Sequence, residues 1–176
     1  MSSQKTLKII MASLMAAMTC IATMVISIPT PTNGYIHLGD GLVLLSGIIL
    51  GPIYGGMAAG IGSMFADILL GYTYYALPTF IIKTLAAICG GFIYLKLNHF
   101  CKNYIIPLIG AGIVGGAIVT CGYFLVEAFI FGYGLAASAS IFGNLLQNAF
   151  GILVSIFLMP ALSHVPVVRT LMTKNA

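Results

Sequence analysis

The few charged residues of this chain are segregated between long apolar runs. The basic residues on what the pattern predicts to be one side of a membrane are Lys5, Lys8, Lys96, Lys102, Arg169 and Lys174. The acids Asp40, Asp67 and Glu127 fall toward the other side, where Lys83 is the one basic residue. Because Lys and Arg are retained in cytoplasmic loops, this pattern predicts a multi-pass membrane protein with both termini in the cytoplasm.

Composition supports the same fold class, since 60% of the 176 residues are hydrophobic and only 6% are charged. In soluble domains about a quarter of the residues are charged. A helix needs about 20 apolar residues to cross a bilayer. We therefore expect residues 1–176 to form a single all-α integral membrane domain of six transmembrane helices, with no soluble domain.

Prolines, glycines and polar residues separate the six predicted spans. The expected ranges are 7–28, 39–50, 53–70, 78–97, 104–126 and 139–162. The second span is short for a full crossing, and Gly51-Pro52 leads directly into the third. Pro78 suits the first turn of a helix. The loop at residues 29–37 is rich in residues that stop helices and form turns.

Other classes of protein find little support in the sequence. The apolar run after Lys8 is too long for a signal peptide and lacks a small-residue cleavage site, so we interpret it as a retained first span. Cys20, Cys89, Cys101 and Cys121 show no C-x-x-C spacing, which favours free thiols over a metal site. The net charge of +4 comes with no cluster of basic and aromatic residues. We therefore expect no nucleic-acid partner and no cofactor.

Small residues recur at helical spacing along the first predicted span: Ala12, Ala16, Thr19, Thr23 and Ser27. In lipid, where no hydrophobic effect drives helix association, small residues let helix backbones approach closely. The stripe can pack inside the protein or dock a partner subunit, and the sequence leaves both open. Ala12 and Ala16 are the candidate partner-binding residues.

A polar stripe runs along the sixth predicted span. Its members are Ser140, Asn144, Gln147, Asn148, Gly151 and Ser155, at spacings that place them on one helical face. One interpretation is hydrogen bonding between helices. We favour a ligand site, because three carboxamides within five residues offer donors and acceptors to a polar heteroaromatic ligand.

Charged residues inside membrane spans are costly and usually functional. Asp67 lies about one turn before the end of the third span, and Lys83 lies one to two turns inside the fourth, so at about 1.5 Å rise per residue we expect them to pair. That pair is either structural or in contact with a ligand. Asp40 can cap the second span. Glu127 ends the fifth span one turn after Tyr123, which suggests a shared pocket wall.

Many of the tyrosines fall on the predicted outer side: Tyr35, Tyr72, Tyr74, Tyr75, Tyr123 and Tyr133. An interfacial aromatic belt explains most of them, and one or two are placed to stack on a planar ligand. The loop at residues 29–37 is placed to close over a site formed with spans four to six. The candidate substrate-binding residues are Lys83, Glu127, Asn144, Asn148, Tyr35, His37, Asp67 and Tyr123.

Several short motifs follow one another along nearly the whole chain. They are Gly34-Tyr-Ile-His-Leu-Gly-Asp40, Leu50-Gly-Pro52, Gly60-Ile-Gly62, Ala66-Asp67, Pro78-Thr-Phe-Ile-Ile-Lys83, Gly122-Tyr-Phe-Leu-Val-Glu127 and Gly143-Asn-Leu-Leu-Gln147. In order and spacing they resemble the substrate-specific S components of energy-coupling factor (ECF) vitamin transporters. The Ala12-x-x-x-Ala16 pair is similar to the motif through which the first helix of that family contacts its coupling subunit.

The resemblance implies a six-helix subunit of a bacterial cell membrane that binds a vitamin or precursor from outside. A transmembrane coupling protein and two cytoplasmic ATPases would drive uptake, and this sequence contains no G-x-x-x-x-G-K-[ST] motif of its own. The motifs are most similar to the branch suggested for hydroxymethylpyrimidine or pyridoxine, and riboflavin-type S components remain open. The alternative is a self-contained proton-coupled transporter with Asp67, Lys83 and Glu127 as a relay. No residue set typical of an intramembrane enzyme occurs.

Overall fold

A computed structural model describes residues 3–30 and 34–175, with side chains for residues 4–30 and 34–173. The helices are α1 (Ser3–Val25), α2 (Asp40–Leu50), α3 (Pro52–Leu69), α4 (Thr73–Asn98), α5 (Ile105–Leu125), α6 (Ala139–Ser163) and α7 (Pro166–Asn175). The strands β1 (Ser27–Pro29) and β2 (Tyr35–His37) form one sheet. Asn33 of the predicted loop and the side chain of Lys174 lie outside the described residues.

The all-α prediction holds for the bundle, and the small sheet was not predicted. β1 and β2 pair in antiparallel register, with Ser27 opposite His37. The first helix therefore ends at Val25 and does not continue to Ile28. β-branched residues such as Ile28 favour an extended strand, and Pro29 is tolerated because it ends a short edge strand.

Helix α2 is the centre of the bundle, and all eleven of its residues are buried. Such burial follows from its sequence, because a helix that is apolar on every side has no face suited to water. α2 contacts α1, α3, α4 and α6. At Gly47 a Cβ atom would overlap with the carbonyl oxygen of Ala87 on α4. Glycine at this position thus lets α2 and α4 pack backbone against backbone.

The remaining long helices surround α2 and present apolar side chains outward. α3, α4, α5 and α6 pack side by side in this order, and α1 packs on α3 and α2. Leu14, Ile113, Phe142 and Phe157 are among the large hydrophobic side chains exposed on this outer surface. So much exposed apolar surface is typical of a protein that interacts with a membrane.

Within residues 3–30 and 34–175, four helical segments are long and apolar enough to cross a membrane: Gln4–Val25, Thr73–Asn98, Ile105–Ile130 and Gly134–Ser163. Helix α2 is apolar, but its 11 residues extend only about 16 Å at 1.5 Å per residue. These findings support a multi-pass, helical membrane protein. Six crossings and cytoplasmic termini stay predictions.

The predicted start of the fourth span was wrong, and a helix after the sixth span was not predicted. Helix α4 begins at Thr73, so Pro78 lies inside the helix and not at its start. The chain turns earlier, at Gly71, whose φ of 87° is in the left-handed region. After α6 the chain forms α7, where the sequence had suggested only a basic tail. Its Val168 and Leu171 are buried against the apolar core that includes α2.

Candidate ligand-binding site

A pocket opens at the end of the bundle where β2, the α3–α4 turn and the connection from α5 to α6 meet. It encloses about 450 Å³, counted to its open mouth. Its lining comprises Thr30, Gly34, Tyr35, Ile36, His37, Asp67, Tyr75, Thr79, Tyr123, Glu127, Ser140, Gly143, Asn144 and Gln147. A concave site with several convergent polar groups is the usual form of a small-molecule site.

Two buried carboxylates line the pocket, and each has only one oxygen with a hydrogen-bond partner. The Tyr35 hydroxyl donates to Oδ1 of Asp67. The Tyr75 hydroxyl donates to Oε1 of Glu127 at 2.7 Å. Within the described part of the chain, Oδ2 of Asp67 and Oε2 of Glu127 are buried without a hydrogen-bond partner. A buried polar atom left unpaired is costly, so these two oxygens are candidate acceptors for a ligand.

Glu127 reaches the pocket because the helix changes its winding at the end of α5. Residues Val126–Ile130 form a π-helical turn, and the backbone N–H of Tyr133 donates to the carbonyl of Glu127 at 3.0 Å. π-turns are rare and occur frequently at functional sites. Here the turn carries a buried acidic side chain into the pocket wall.

Aromatic rings form much of the remaining pocket wall. Tyr75 and Tyr123 have ring centroids 6.0 Å apart, and the hydroxyl of Tyr123 lies 2.9 Å from Oγ1 of Thr79. Outside the lining, Tyr72 packs on Tyr35 with a centroid separation of 4.7 Å. Such packing fixes the rings of the site. Tyr35, Tyr75 and Tyr123 thus line the pocket itself, and stacking of a tyrosine on a ligand stays a prediction.

A second set of polar groups lies beneath the pocket, around the start of α2. The ammonium of Lys83, which is fully buried, forms an ion pair with Oδ1 of Asp40. Gln147 donates from Nε2 to Oδ2 of Asp40 at 2.8 Å and accepts from the backbone N–H of His37 at 2.9 Å. This network joins α4, α2, α6 and β2. Both oxygens of its carboxylate have partners.

The ion pair predicted between Asp67 and Lys83 was wrong, because Lys83 pairs with Asp40. The early start of α4 explains the error. Lys83 lies ten residues beyond Thr73, which places it about 15 Å along the helix at 1.5 Å per residue. Asp67 lies only two residues before the end of α3, or about 3 Å. Lys83 is therefore too deep to pair with Asp67 and meets Asp40. The predicted capping role of Asp40 was also wrong, because Gly39 occupies the cap position of α2 and Asp40 is its first helical residue.

His37 is neutral in this arrangement. Burial, and next the nearby charge of Lys83, lower the pKa of His37 to about 3. Its Nδ1 accepts a hydrogen bond from the backbone N–H of Gly39 at 3.0 Å, which requires that nitrogen to be unprotonated. Burial and the charge of Asp67 raise the pKa of Tyr35. Tyr35 thus remains a hydrogen-bond donor to that carboxylate.

Comparison with known proteins decides the family. A model of the ECF-type riboflavin transporter S component family matches residues 3–164. The chain belongs to this family. It is also similar to an uncharacterised protein encoded in the gap 3′ region of Pyrococcus woesei, with 35% identity over 136 residues, 76% of this chain and 86% of the relative. Membership confirms the resemblance seen in the motifs, and the chain is a substrate-binding membrane component of vitamin transport.

The S component brings six of the eight predicted substrate-binding side chains together at its pocket: Tyr35, His37, Asp67, Tyr123, Glu127 and Asn144. Lys83 lies beneath the pocket, with its ammonium 5.4 Å from the ring centroid of Tyr123. Asn148 lies in a separate small cavity between α2, α5 and α6, where it donates to the carbonyl of Gly116 at 3.0 Å. The polar stripe of α6 therefore divides between the pocket and helix packing.

Sequence reasoning missed other pocket residues of the S component. Tyr75 and Thr79 line the pocket from the first turns of α4. Tyr75 was assigned to the interfacial belt, because the predicted span began after it. Ser140 and Gln147 belong to the polar stripe that the sequence favoured as a ligand site, although neither was named as a substrate-binding residue. Asp40 lies beneath the pocket, and the sequence predicted neither its ion pair with Lys83 nor its bond to Gln147. Among the described residues, no cluster of three or more metal-binding side chains occurs.

Part of the small-residue stripe of α1 packs against other helices of the S component. Ala12 and Ala16 are half-buried, and Thr19 and Thr23 are fully buried. A Cβ on Gly62 of α3 would overlap with the carbonyl oxygen of Ala16. α1 and α3 therefore pack closely at this point. Docking of a partner by Ala12 and Ala16 stays a prediction.

Proposed function

We propose that this S component captures a water-soluble vitamin or vitamin precursor from outside the cell in the pocket between β2 and helices α3 to α6. A transmembrane coupling protein and two cytoplasmic ATPases would then drive its ATP-dependent uptake. Family membership supports this assembly. The observation that carries the capture step is the pocket itself. Its lining residues Asp67 and Glu127 each carry one buried carboxylate oxygen without a hydrogen-bond partner among the described residues.

The proposal places the pocket on the outer face of a bacterial cell membrane and both termini in the cytoplasm. In support, Lys5, Lys96, Lys102 and Arg169 lie near the helix ends opposite the pocket. Cytoplasmic loops are enriched in such residues. Cysteines introduced singly at Tyr133 and Asn98 test this orientation. An impermeant thiol reagent should label the first in intact cells and not the second, and labelling at Asn98 would overturn six crossings in this orientation.

The proposed ligand is of the hydroxymethylpyrimidine or pyridoxine type, with riboflavin as the other candidate. Native mass spectrometry of the detergent-purified protein should reveal a co-purified vitamin. Binding alone does not distinguish an S component from a self-contained proton-coupled transporter. In liposomes, the purified chain should bind ligand and should accumulate it only when the coupling protein, the ATPases and ATP are present. Proton-driven uptake by the chain alone would contradict the proposal.

We also propose that Ala12 and Ala16 belong to the surface that contacts the coupling protein. Both residues pack against the core of the bundle. Ala12 is the residue tested, because Ala16 also lies close to Gly62 of α3. Ala12→Leu should prevent close approach of a partner helix. Assembly and uptake should be lost, and ligand binding by the isolated chain should persist. Loss of binding together with uptake would assign the residue to internal packing.

A further inference from the structure

The charges around the pocket do not balance. Among the described residues, five acidic and basic side chains are buried at or beneath it: His37, Asp40, Asp67, Lys83 and Glu127. Asp40 and Lys83 neutralise each other as an ion pair. His37 is neutral, since its Nδ1 accepts a hydrogen bond. Within the part of the chain that the structure describes, Asp67 and Glu127 therefore form no ion pair with a cationic side chain.

Both of these carboxylates are placed to meet a ligand. Each is only 3% exposed, each lines the pocket, and each keeps one buried oxygen without a partner in the described residues. Their other oxygens accept from the hydroxyls of Tyr35 and Tyr75. Burying a charge without a partner is strongly unfavourable. A ligand that brings positive charge and N–H donors would remove this cost at both positions.

The aromatic lining favours the same kind of ligand. The rings of Tyr35, Tyr75 and Tyr123 belong to the pocket wall. Tyrosine rings attract cations over their faces, and they pack well against flat rings. Acidic groups combined with aromatic walls suit a planar, cationic molecule better than a neutral or anionic one.

We propose that the ligand is a planar nitrogen heterocycle that carries a positive charge or an amidine-like pair of N–H donors, and that it bridges Asp67 and Glu127 between the tyrosines. This inference rests on the proposed function and specifies its substrate class. An aminopyrimidine is the simplest example, because its ring nitrogen and exocyclic amine can donate side by side once the ring is protonated. Vitamins with a carboxylate or phosphate group would be rejected by the two acids.

A matched pair of small molecules tests the charge directly. The probes are a hydroxymethyl aminopyrimidine and the same ring with a methyl group in place of the amine, with riboflavin as a third probe. Isothermal titration of the full chain in detergent should show binding of the amine. The methyl compound should bind at least about tenfold more weakly, as expected for the loss of hydrogen bonds to charged groups.

Isosteric variants of the two acids then test whether Asp67 and Glu127 are the groups that recognise the amine. Asp67→Asn and Glu127→Gln remove the negative charge and keep the size of the side chain. Each should weaken binding of the amine by about tenfold to a hundredfold and should leave the weaker binding of the methyl compound unchanged. Lys102→Gln, which removes an exposed charge at the opposite end of the bundle, is the control and should bind both compounds as the wild type does.

Three results would overturn the inference. The first is that riboflavin binds at least as tightly as the aminopyrimidine and that Asp67→Asn and Glu127→Gln keep this affinity for riboflavin. The pocket would then recognise a neutral ligand without using the two negative charges. Another is equal affinity for the amine and methyl compounds. The third is binding of neither pyrimidine while native mass spectrometry detects a different, uncharged vitamin. Failure of the proposed function is distinct from these, since no vitamin would co-purify and no uptake would occur with the coupling proteins.

Discussion

The S component contains two sets of buried charged side chains that differ in how their hydrogen bonds are completed. In the set beneath the pocket, Asp40 is paired with Lys83 and also accepts from Gln147. In the pocket, Asp67 and Glu127 each keep one buried oxygen without a partner among the described residues. We infer that the set whose hydrogen bonds are complete stabilises the fold. The set with unpaired oxygens is destabilising by itself and is available to bind a ligand. Buried charge alone does not identify a binding site, but unsatisfied buried charge points to one.

The largest effect is expected where the completed set is broken. Lys83→Ala should leave Asp40 charged and unpaired, and removal of one member of a buried ion pair costs about 3 to 5 kcal/mol. Thermal unfolding in detergent should show this loss without any ligand present. The control is the double variant Asp40→Asn with Lys83→Met, which removes both charges and keeps an acceptor for Gln147. It should regain most of the lost stability, and a double variant as unstable as Lys83→Ala would refute the ion-pair role.

The opposite behaviour is expected for the pocket carboxylates. Glu127→Gln and Asp67→Asn remove buried negative charges that form no ion pair with the described residues, so the unfolding temperature without ligand should stay the same or rise. The stabilisation that bound ligand adds, which depends on its concentration relative to Kd, should be largely lost. If these variants lowered the ligand-free unfolding temperature as much as Lys83→Ala does, the pocket carboxylates would stabilise the fold as the buried ion pair does, and the distinction between the two sets would be wrong.

A titratable residue connects the two regions and gives a pH test. The folded protein holds His37 neutral, with its pKa lowered to about 3, while an unfolded chain takes up the proton near its ordinary pKa of about 6.5. The unfolded state thus binds more protons between these values, so stability is full above about pH 6.5 and declines as pH falls toward 3, by about 2 kcal/mol between pH 7 and pH 5.

The variant His37→Gln isolates this contribution. Its unfolding temperature should depend less on pH than that of the wild type between pH 7 and pH 5. Identical pH profiles for the two proteins would show that His37 is not held neutral by the fold.

The smallest effect is expected from Asn148, which sequence reasoning had placed in the ligand site. It lies outside the pocket and bonds to Gly116 and Thr120, so Asn148→Ala should change ligand affinity by less than about twofold and mainly lower stability, by about 1 kcal/mol per hydrogen bond. Asn144→Ala, one turn away in the pocket, should weaken binding by up to about tenfold. If a titration showed that Asn148→Ala weakens ligand binding more than Asn144→Ala does, the ligand site would lie closer to α5 than we propose.

The sequence predicted the class of fold and several of the polar residues at the pocket. Apolar runs and segregated charges predicted a helical membrane protein, and polar residues at helical spacing on the sixth span led to Asn144 and Gln147. Intramembrane acids led to Asp67 and Glu127. The prediction of a helical membrane protein is confirmed, because lipid allows few exceptions to the burial of polar groups. The binding roles of the four polar residues stay proposals.

The errors arose where a few residues of register decide which groups meet. Pro78 indicated a helix start, but the chain turns at Gly71 and α4 begins at Thr73. That difference of five residues shifts Lys83 by about 7 Å and exchanges its partner from Asp67 to Asp40. The π-turn at Val126–Ile130 and the pairing of β1 with β2 depend on tertiary contacts. No local sequence pattern predicts them.

One crossed measurement tests the central claim that the two sets of charges have separate roles. The aminopyrimidine affinity and the ligand-free unfolding temperature are measured on Glu127→Gln and on the double variant Asp40→Asn with Lys83→Met. We predict that Glu127→Gln loses affinity by about tenfold or more and keeps its unfolding temperature, while the double variant keeps its affinity within about threefold. Normal affinity in Glu127→Gln together with loss of binding in a folded double variant would contradict the account.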